Sequence, residues 1–317
     1  MGCSHQGVHF NTVLRSDEHL LSMLGRHHVL SGFRTYRASL KSLSGDLTNQ
    51  VPSIIDRPIY RDLFCMLKPN KSYLEFLKAH TLFNVYEPFI PDALCNIEGK
   101  EVLKPKLTNT FQITREWRFC KSCMAEDFDN QTMPYFRSAH QLPTVSVCLE
   151  HSEHLYLLCN TCHNRDRSMD RIGYPSGINC KACSKGLPIT DSYIDEDVSW
   201  LHSTLGRLLV GDIKLPNLKQ LQAAYRSNLN INDYALDPST ENRRKISIAQ
   251  KALDNYFDSR LYSALFSNCD INQGTKKTNT LHLSNIACDQ KTIFSPVVHL
   301  LLIRMLFCDI DSIPKMN

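Results

Sequence analysis

The sequence predicts a mainly α-helical protein with a small β component: an N-terminal helical domain of helix-turn-helix character, two central zinc-ribbon or zinc-finger modules, and a C-terminal helical domain. Three observations carry this. Apolar residues recur at helical spacing in both outer thirds of the chain, seven of the 13 cysteines fall between positions 120 and 183, and polar or Pro/Gly-rich breaks separate the three regions. At 317 residues the chain is about twice a typical single-domain length, so each region can bury a core of its own.

Ser16 with Asp17 and Glu18 predicts a helix N-cap with acid in its first turn, followed by the body LLSMLGRHHVL and a stop at Gly32. A second short pattern spans 33–43, and beyond a loop with Pro52 and Pro58 two more span 60–67 and 72–82. Pro88 and Pro91 close this unit, and the Lys/Glu-rich stretch 96–106 reads as an exposed connection. Residues 110–190 mix the β-prone pieces LPTVSVC and HLYLLC with loops containing Gly173, Pro175 and Gly177, which suits zinc ribbons with short hairpins. Past Pro188 the helical pattern returns over 195–210, 216–229 and 243–266. A polar segment, 269–280, sets off a last helix over 295–307 with Pro296 in its first turn. The domains so read are 1–95, 96–190 and 191–317, with no solenoid-type repeat.

The composition, 42% hydrophobic and 21% charged, is that of an ordinary globular chain. The net charge of +4 is spread evenly, so a nucleic-acid partner would need a basic patch gathered by folding. The longest apolar run, Val297 to Ile303, falls far short of the ~18 residues a membrane span requires, so no membrane partner is expected. The opening MGCSHQ resembles a myristoylation signal, but Gln6 stands where Ser or Thr is required and no apolar signal core follows. The expectation is a cytoplasmic chain with reduced thiols. Cys3, Cys65, Cys95, Cys269, Cys288 and Cys308 stand alone and read as small buried hydrophobes.

The paired cysteines carry the chemistry. A tetrahedral zinc ion takes four thiolate or imidazole donors, and each C-x2-C or C-x2-H turn supplies two. Cys120 and Cys123 pair with Cys148 and His151, and Cys159 and Cys162 pair with Cys180 and Cys183, giving two structural Zn2+ sites. Spacing alone leaves the crossed pairing open, although sequential pairing closes shorter loops. His140, His154 and His163 then read as packing or surface residues.

The segment from Trp117 couples these turns to further elements in a fixed order: Cys120 and Cys123, Glu126 and Asp127, Tyr135 to Arg137, His140 to Pro143, then Cys148 with His151. This arrangement resembles the TniQ/TnsD family of transposon target-selection proteins. DEHLLSMLGRHH, HTLFNVYEPFI from His80 and SPVVHLLLIRMLF from Ser295 are similar to that family's other segments. TnsD-type members continue past the last of these into a further DNA-binding part, whereas this sequence stops soon after it, so an adaptor role of the TniQ kind stands beside attachment-site recognition.

The resemblance implies a non-enzymatic protein of the bacterial cytoplasm, nucleoid-associated, that marks the insertion target of a Tn7-like transposon and recruits its AAA+ transposition regulator. The mark is target DNA or a CRISPR guide-RNA effector complex, and a homodimer stays open. Candidate phosphate contacts are Arg34, Arg37 and Lys41; Arg115, Arg118 and Lys121; and Arg243, Arg244 and Lys245, each of which also reads as a solvated face. Arg165, Arg167 and Arg171 alternate with acids and read as a solvated loop, while Tyr135 and Phe136 read as core. Two other classes compete. A zinc-dependent nuclease or hydrolase would need an open metal position, and Glu126, Asp127 and Asp129 are too local to supply a hard-cation site. A zinc-ribbon transcription regulator would use the same knuckles to bind DNA.

Overall fold

The computed structural model describes residues 12–40, 52, 55–91, 116–159, 173–190, 193–233, 236–266, 281–289 and 293–314. Lys41, Arg115, Cys162, His163, the Arg165/Arg167/Arg171 group, Cys3, Cys95 and Cys269 lie outside these residues. The architecture is mainly helical, as expected. The chain divides into two compact units, Met1–Asn84 with Ile113–Ser192 and Val85–Gln112 with Tyr193–Asn317. One unit gives way to the other between Ser192 and Tyr193. The N-terminal helices and the cysteine region fall in one unit, joined by hydrogen bonds and ion pairs.

In the first unit the elements are α1 (Leu20–Ser31), α2 (Tyr36–Ser39), α3 (Pro58–Leu67), α4 (Tyr73–His80), β1 (Arg118–Phe119), α5 (Lys121–Asp129) and β2 (Tyr156–Leu157). The two strands pair antiparallel, with Arg118 opposite Leu157 and Phe119 opposite Tyr156. Helix α4 opens on a capping box, Ser72 bonding the Glu75 amide and Glu75 reaching back. Helix α1 starts later than the Ser16 cap predicts. Its cap is His19, whose Nδ1 accepts from the Leu21 amide at 3.2 Å while Nε2 donates to the Pro52 carbonyl at 2.9 Å. It ends at Gly32, φ +68°, a left-handed position where any Cβ would add strain.

The acids expected in the first turn of α1 work in tertiary structure instead. Glu18, fully buried, accepts from Arg26 Nε at 2.8 Å. Asp17 accepts from the Tyr135 hydroxyl at 2.7 Å and pairs with Arg137 at 3.2 Å. Main-chain bonds run alongside: the His19 amide donates to the Phe136 carbonyl and the Ser138 amide to Asp17. Leu20, Leu21, Met23 and Leu24 are wholly buried on α1. Each such side chain stabilises by about 1.5–3 kcal/mol through apolar burial. The Trp117 ring meets His19 edge-on at 5.0 Å.

The second unit holds α6 (Glu196–Val210), α7 (Leu218–Leu229), α8 (Thr240–Tyr256), α9 (Ser259–Phe266), α10 (Leu283–Cys288) and α11 (Pro296–Phe307). Asp195 caps α6, Asn217 and Gln220 form a capping box on α7, and Pro296 opens α11. The continuous helix expected over 243–266 is two helices, broken at Phe257, which adopts extended backbone and is buried. Helix α10 has no sequence counterpart above. Side-chain amides hold it at both ends: Gln250 accepts from the Leu283 amide, and Gln222 donates to the carbonyls of Ile286 and Asp289. From Pro296 to Ile303, α11 is buried on every side and forms the axis of this core. Among the described residues no helix is long and apolar enough to cross a membrane. The lone cysteines are not uniformly buried: Cys308 is exposed, and Cys65, half-buried, is disulfide-bonded rather than a free thiol.

Two outcomes follow. Arg26→Ala leaves Glu18 buried without its counter-charge, and chemical denaturation of the full chain should show a loss of about 3–5 kcal/mol. His299 on α11 is fully buried, stacked on Phe89 at 4.7 Å, with neither ring nitrogen partnered. Burial pushes its pKa down to about 3. Its contribution is intact above the unfolded value near 6.5 and is lost as pH falls toward the folded value, because the unfolded ring takes up a proton the folded one refuses. Stability should therefore drop by about 1.4 kcal/mol per pH unit across that window from this residue, and His299→Leu should flatten the pH dependence of the melting temperature.

Candidate metal centre

The first cluster is assembled by the β1–β2 ladder and the start of α5. Cys120 is the N-cap of α5 and Cys123 lies in its first turn, where the positive helix end favours a thiolate. Cys148 and His151 come from a knuckle closed by two main-chain bonds, the Cys148 amide to the Glu153 carbonyl at 2.7 Å and the Ser152 amide to the Cys148 carbonyl at 2.9 Å. Ser152 takes a positive φ to complete the turn.

The donor atoms of Cys120, Cys123, Cys148 and His151 all lie within 4.8 Å of one another. His151 Nδ1 is 3.3 Å from Cys123, 3.6 Å from Cys148 and 3.7 Å from Cys120, and the Cys123 and Cys148 sulfurs are 3.7 Å apart. A cation bound about 2.3 Å from sulfur and about 2.0 Å from nitrogen in a tetrahedron requires edges of roughly 3.5–3.8 Å. These separations suit a single tetrahedral ion, and the donors gathered are those of the sequential pairing. The three cysteines are buried. Hydrogen bonds from Cys120 and Cys123 pull the Cys148 thiol well down, while hydrogen bonding to Cys120 and Cys148 pushes Cys123 well up. A divalent ion displaces such protons, so metal affinity should fall as pH falls.

Around the donors sits a polar shell. His151 turns its Nε2 to Glu126 Oε1 at 2.9 Å, an imidazole–carboxylate pair that fixes which ring nitrogen faces the sulfurs. Asp127 pairs with Arg137 at 3.0 Å, and Arg137 also reaches Asp17, linking α5 to the start of α1. Glu126 and Asp127, read from the sequence as an acidic cluster, thus support the cysteine cluster and the core, and Glu126 with Glu150, Cys123 and His151 forms an overlapping donor group. His140, read as packing or surface, is buried, and its Nε2 approaches the sulfurs of Cys148 and Cys123. The signal that could have found it is the motif joining His140 to Gln141, whose side chain clamps the Arg118 and Arg137 backbones.

The second cluster brings Cys159, Cys180 and Cys183 within 4.8 Å, with Cys159 and Cys183 sulfurs 3.6 Å apart. Its other proposed ligand, Cys162, lies outside the described residues. The Cys180 knuckle repeats the Cys148 knuckle bond for bond: the Cys180 amide donates to Lys185, the Ser184 amide to Cys180, and Ser184 takes a positive φ as Ser152 does. CLEHSE and CKACSK are thus one turn used twice. Both clusters could hold metal ions and are compatible with two zinc-binding modules.

Of the basic residues proposed as phosphate contacts, Arg34, Arg37, Lys121, Arg243 and Arg244 are exposed, and Lys245 pairs with Glu241 at 3.3 Å. Arg118 is a correction: it is buried, and its guanidinium donates to the carbonyls of Val145 and Leu142, so it holds the loop before Cys148 and cannot reach a phosphate. Tyr135 and Phe136 are core residues, as expected.

Cys120→Ser and Cys180→Ser should each lower bound metal from two ions per chain to one, as measured by elemental analysis of the purified protein. Because structural zinc can contribute on the order of 10 kcal/mol, the first unit should melt at a markedly lower temperature in either variant. Unchanged metal content would refute the ligand assignment.

Residues 10–155 match the family model described as TniQ. The match takes in α1, the Asp17–Arg137 link and all four donors of the first cluster, and it stops short of Cys159. No curated protein matches the chain. This match gives the chain a TniQ domain over residues 10–155, which supports an association with Tn7-like transposition.

Proposed function

We propose that the protein is a non-enzymatic target-selection component of a Tn7-like transposon, which engages the insertion target and recruits the AAA+ transposition regulator. The observation that carries this reading is the TniQ match over residues 10–155. In it both cysteine clusters hold zinc in a purely structural role. The donor chemistry supports that assignment: three thiolates and an imidazole suit zinc, and four protein donors leave no coordination position for a reacting water. The target mark is DNA or a guide-RNA effector complex. Exposed Arg34 and Arg37 in the first unit, and Arg243 and Arg244 in the second, are the surfaces through which phosphates would be met.

The test is capture of the purified, zinc-loaded chain by the transposon's AAA+ regulator, with and without target DNA. Capture should be specific to the regulator, and its enhancement by DNA would mark direct target reading; absence of capture in both conditions sinks the adaptor role. Arg243→Glu with Arg244→Glu should weaken DNA binding and lower its salt dependence if these residues meet phosphates. An unaltered salt slope would remove this face from the interface.

A further inference from the structure

His140 is buried, with its Nε2 3.5 Å from Cys148 Sγ and 3.7 Å from Cys123 Sγ. It is not part of the set of four donors that lie mutually within 4.8 Å. Its other nitrogen, Nδ1, is also buried and meets no hydrogen-bond partner. A neutral imidazole carries one proton, and burying that proton at a nitrogen with no acceptor is costly, so it belongs on Nε2, facing the sulfurs. The next residue along the chain is anchored by its side chain. Gln141 donates to the Arg118 carbonyl at 2.8 Å and to the Arg137 carbonyl at 3.1 Å, and accepts from the Arg118 amide at 3.0 Å.

We propose that His140 is a positioning residue of the first metal centre, sharing its Nε2–H between the thiolates of Cys148 and Cys123 and so setting how tightly the centre holds its ion. The proposal rests on the reading that this cluster binds a divalent metal. Three thiolates and a neutral imidazole around a divalent cation carry a net negative charge, and the three sulfurs come from buried residues. A charge taken out of water needs donors aimed at it. The carboxylates of Glu150 and Glu153, 3.7 Å from Cys123 and Cys120, cannot offset it. Arg137 acts on Cys123 electrostatically but is already engaged by Asp127 and Asp17. His140 is thus the donor placed on two sulfurs at once. Outer partners of this kind change metal affinity by about 10–100-fold.

Cobalt(II) substitution of the full chain supplies the test, because thiolate-to-cobalt charge-transfer bands report the electron density on sulfur. His140→Phe keeps the ring and removes the donor, while His140→Gln keeps an N–H. In His140→Phe the expected result is unchanged cobalt stoichiometry, about 10–100-fold weaker binding at one site in competition with a chromophoric chelator, and a charge-transfer band moved to lower energy. His140→Gln should recover part of both changes. Affinity and band unmoved in His140→Phe would overturn the proposal, as would loss of one cobalt ion per chain, which would make His140 a ligand. If His140→Phe does not fold, His140→Leu makes the same comparison. A wild-type chain with no thiolate–cobalt band would defeat the metal reading itself and this proposal with it, whereas a wild-type band that the variants leave unchanged would defeat the proposal alone.

Discussion

Three thiols and an imidazole gathered within hydrogen-bond distance of one another and removed from water are tolerable only around a cation, or with the sulfurs largely protonated. That constraint organises the first unit. Cys120 and Cys123 are delivered by a two-residue strand and the first turn of a short helix, neither of which has enough apolar surface to be stable alone. Cys148 and His151 come from a tight knuckle with a residue in the left-handed region. These pieces have little reason to hold their shape apart from the point at which their donor atoms meet.

The same constraint reaches the N-terminal helix through charge. Helix α5 presents Asp127 to Arg137, Arg137 carries the link to Asp17, and Glu18 is neutralised by Arg26 from two turns into α1. Ion pairs of this kind are specific more than stabilising, since their desolvation offsets much of their attraction. Their effect is to fix the register between α1 and the chain at Tyr135–Ser138, which main-chain bonds then follow. The N-terminal helices and the metal module consequently form one unit, and the family match extends across both.

The two units differ in how they are held. In the second, α6, α7 and α11 carry their own caps, and the core forms around α11, buried on every side from Pro296 to Ile303. In the first, short elements lean on the clusters and on buried polar contacts. The repeated knuckle at Cys148 and Cys180 shows one local solution used twice, and the difference lies in the fourth position of each turn, His151 in one and Cys183 in the other. His151 alone has a second nitrogen to offer Glu126, which ties the first cluster to the solvent-side face of α5.

What the sequence by itself determined is what depends on near neighbours. Helix periodicity, the Gly32 stop and the C-x2-C and C-x2-H turns are all set within a few residues; helices stand over most of the predicted stretches, and Cys120, Cys123, Cys148 and His151 are gathered. The tertiary structure alone decided the rest. Arg118 read as a solvated face and His140 as either packing or surface, because nothing within their own segments says what buries them; the Leu142 and Val145 carbonyls and the Cys148 sulfur do, from further along the chain. Glu18 looked like an acid in the first turn of a helix, but a counter-charge on α1 drew it inside. Helix α10 escaped notice because its ends are satisfied by amides on other helices rather than by caps of its own. Local bonds leave a trace in local spacing, whereas the burial of a charge or a lone pair is settled by whichever distant group arrives to meet it.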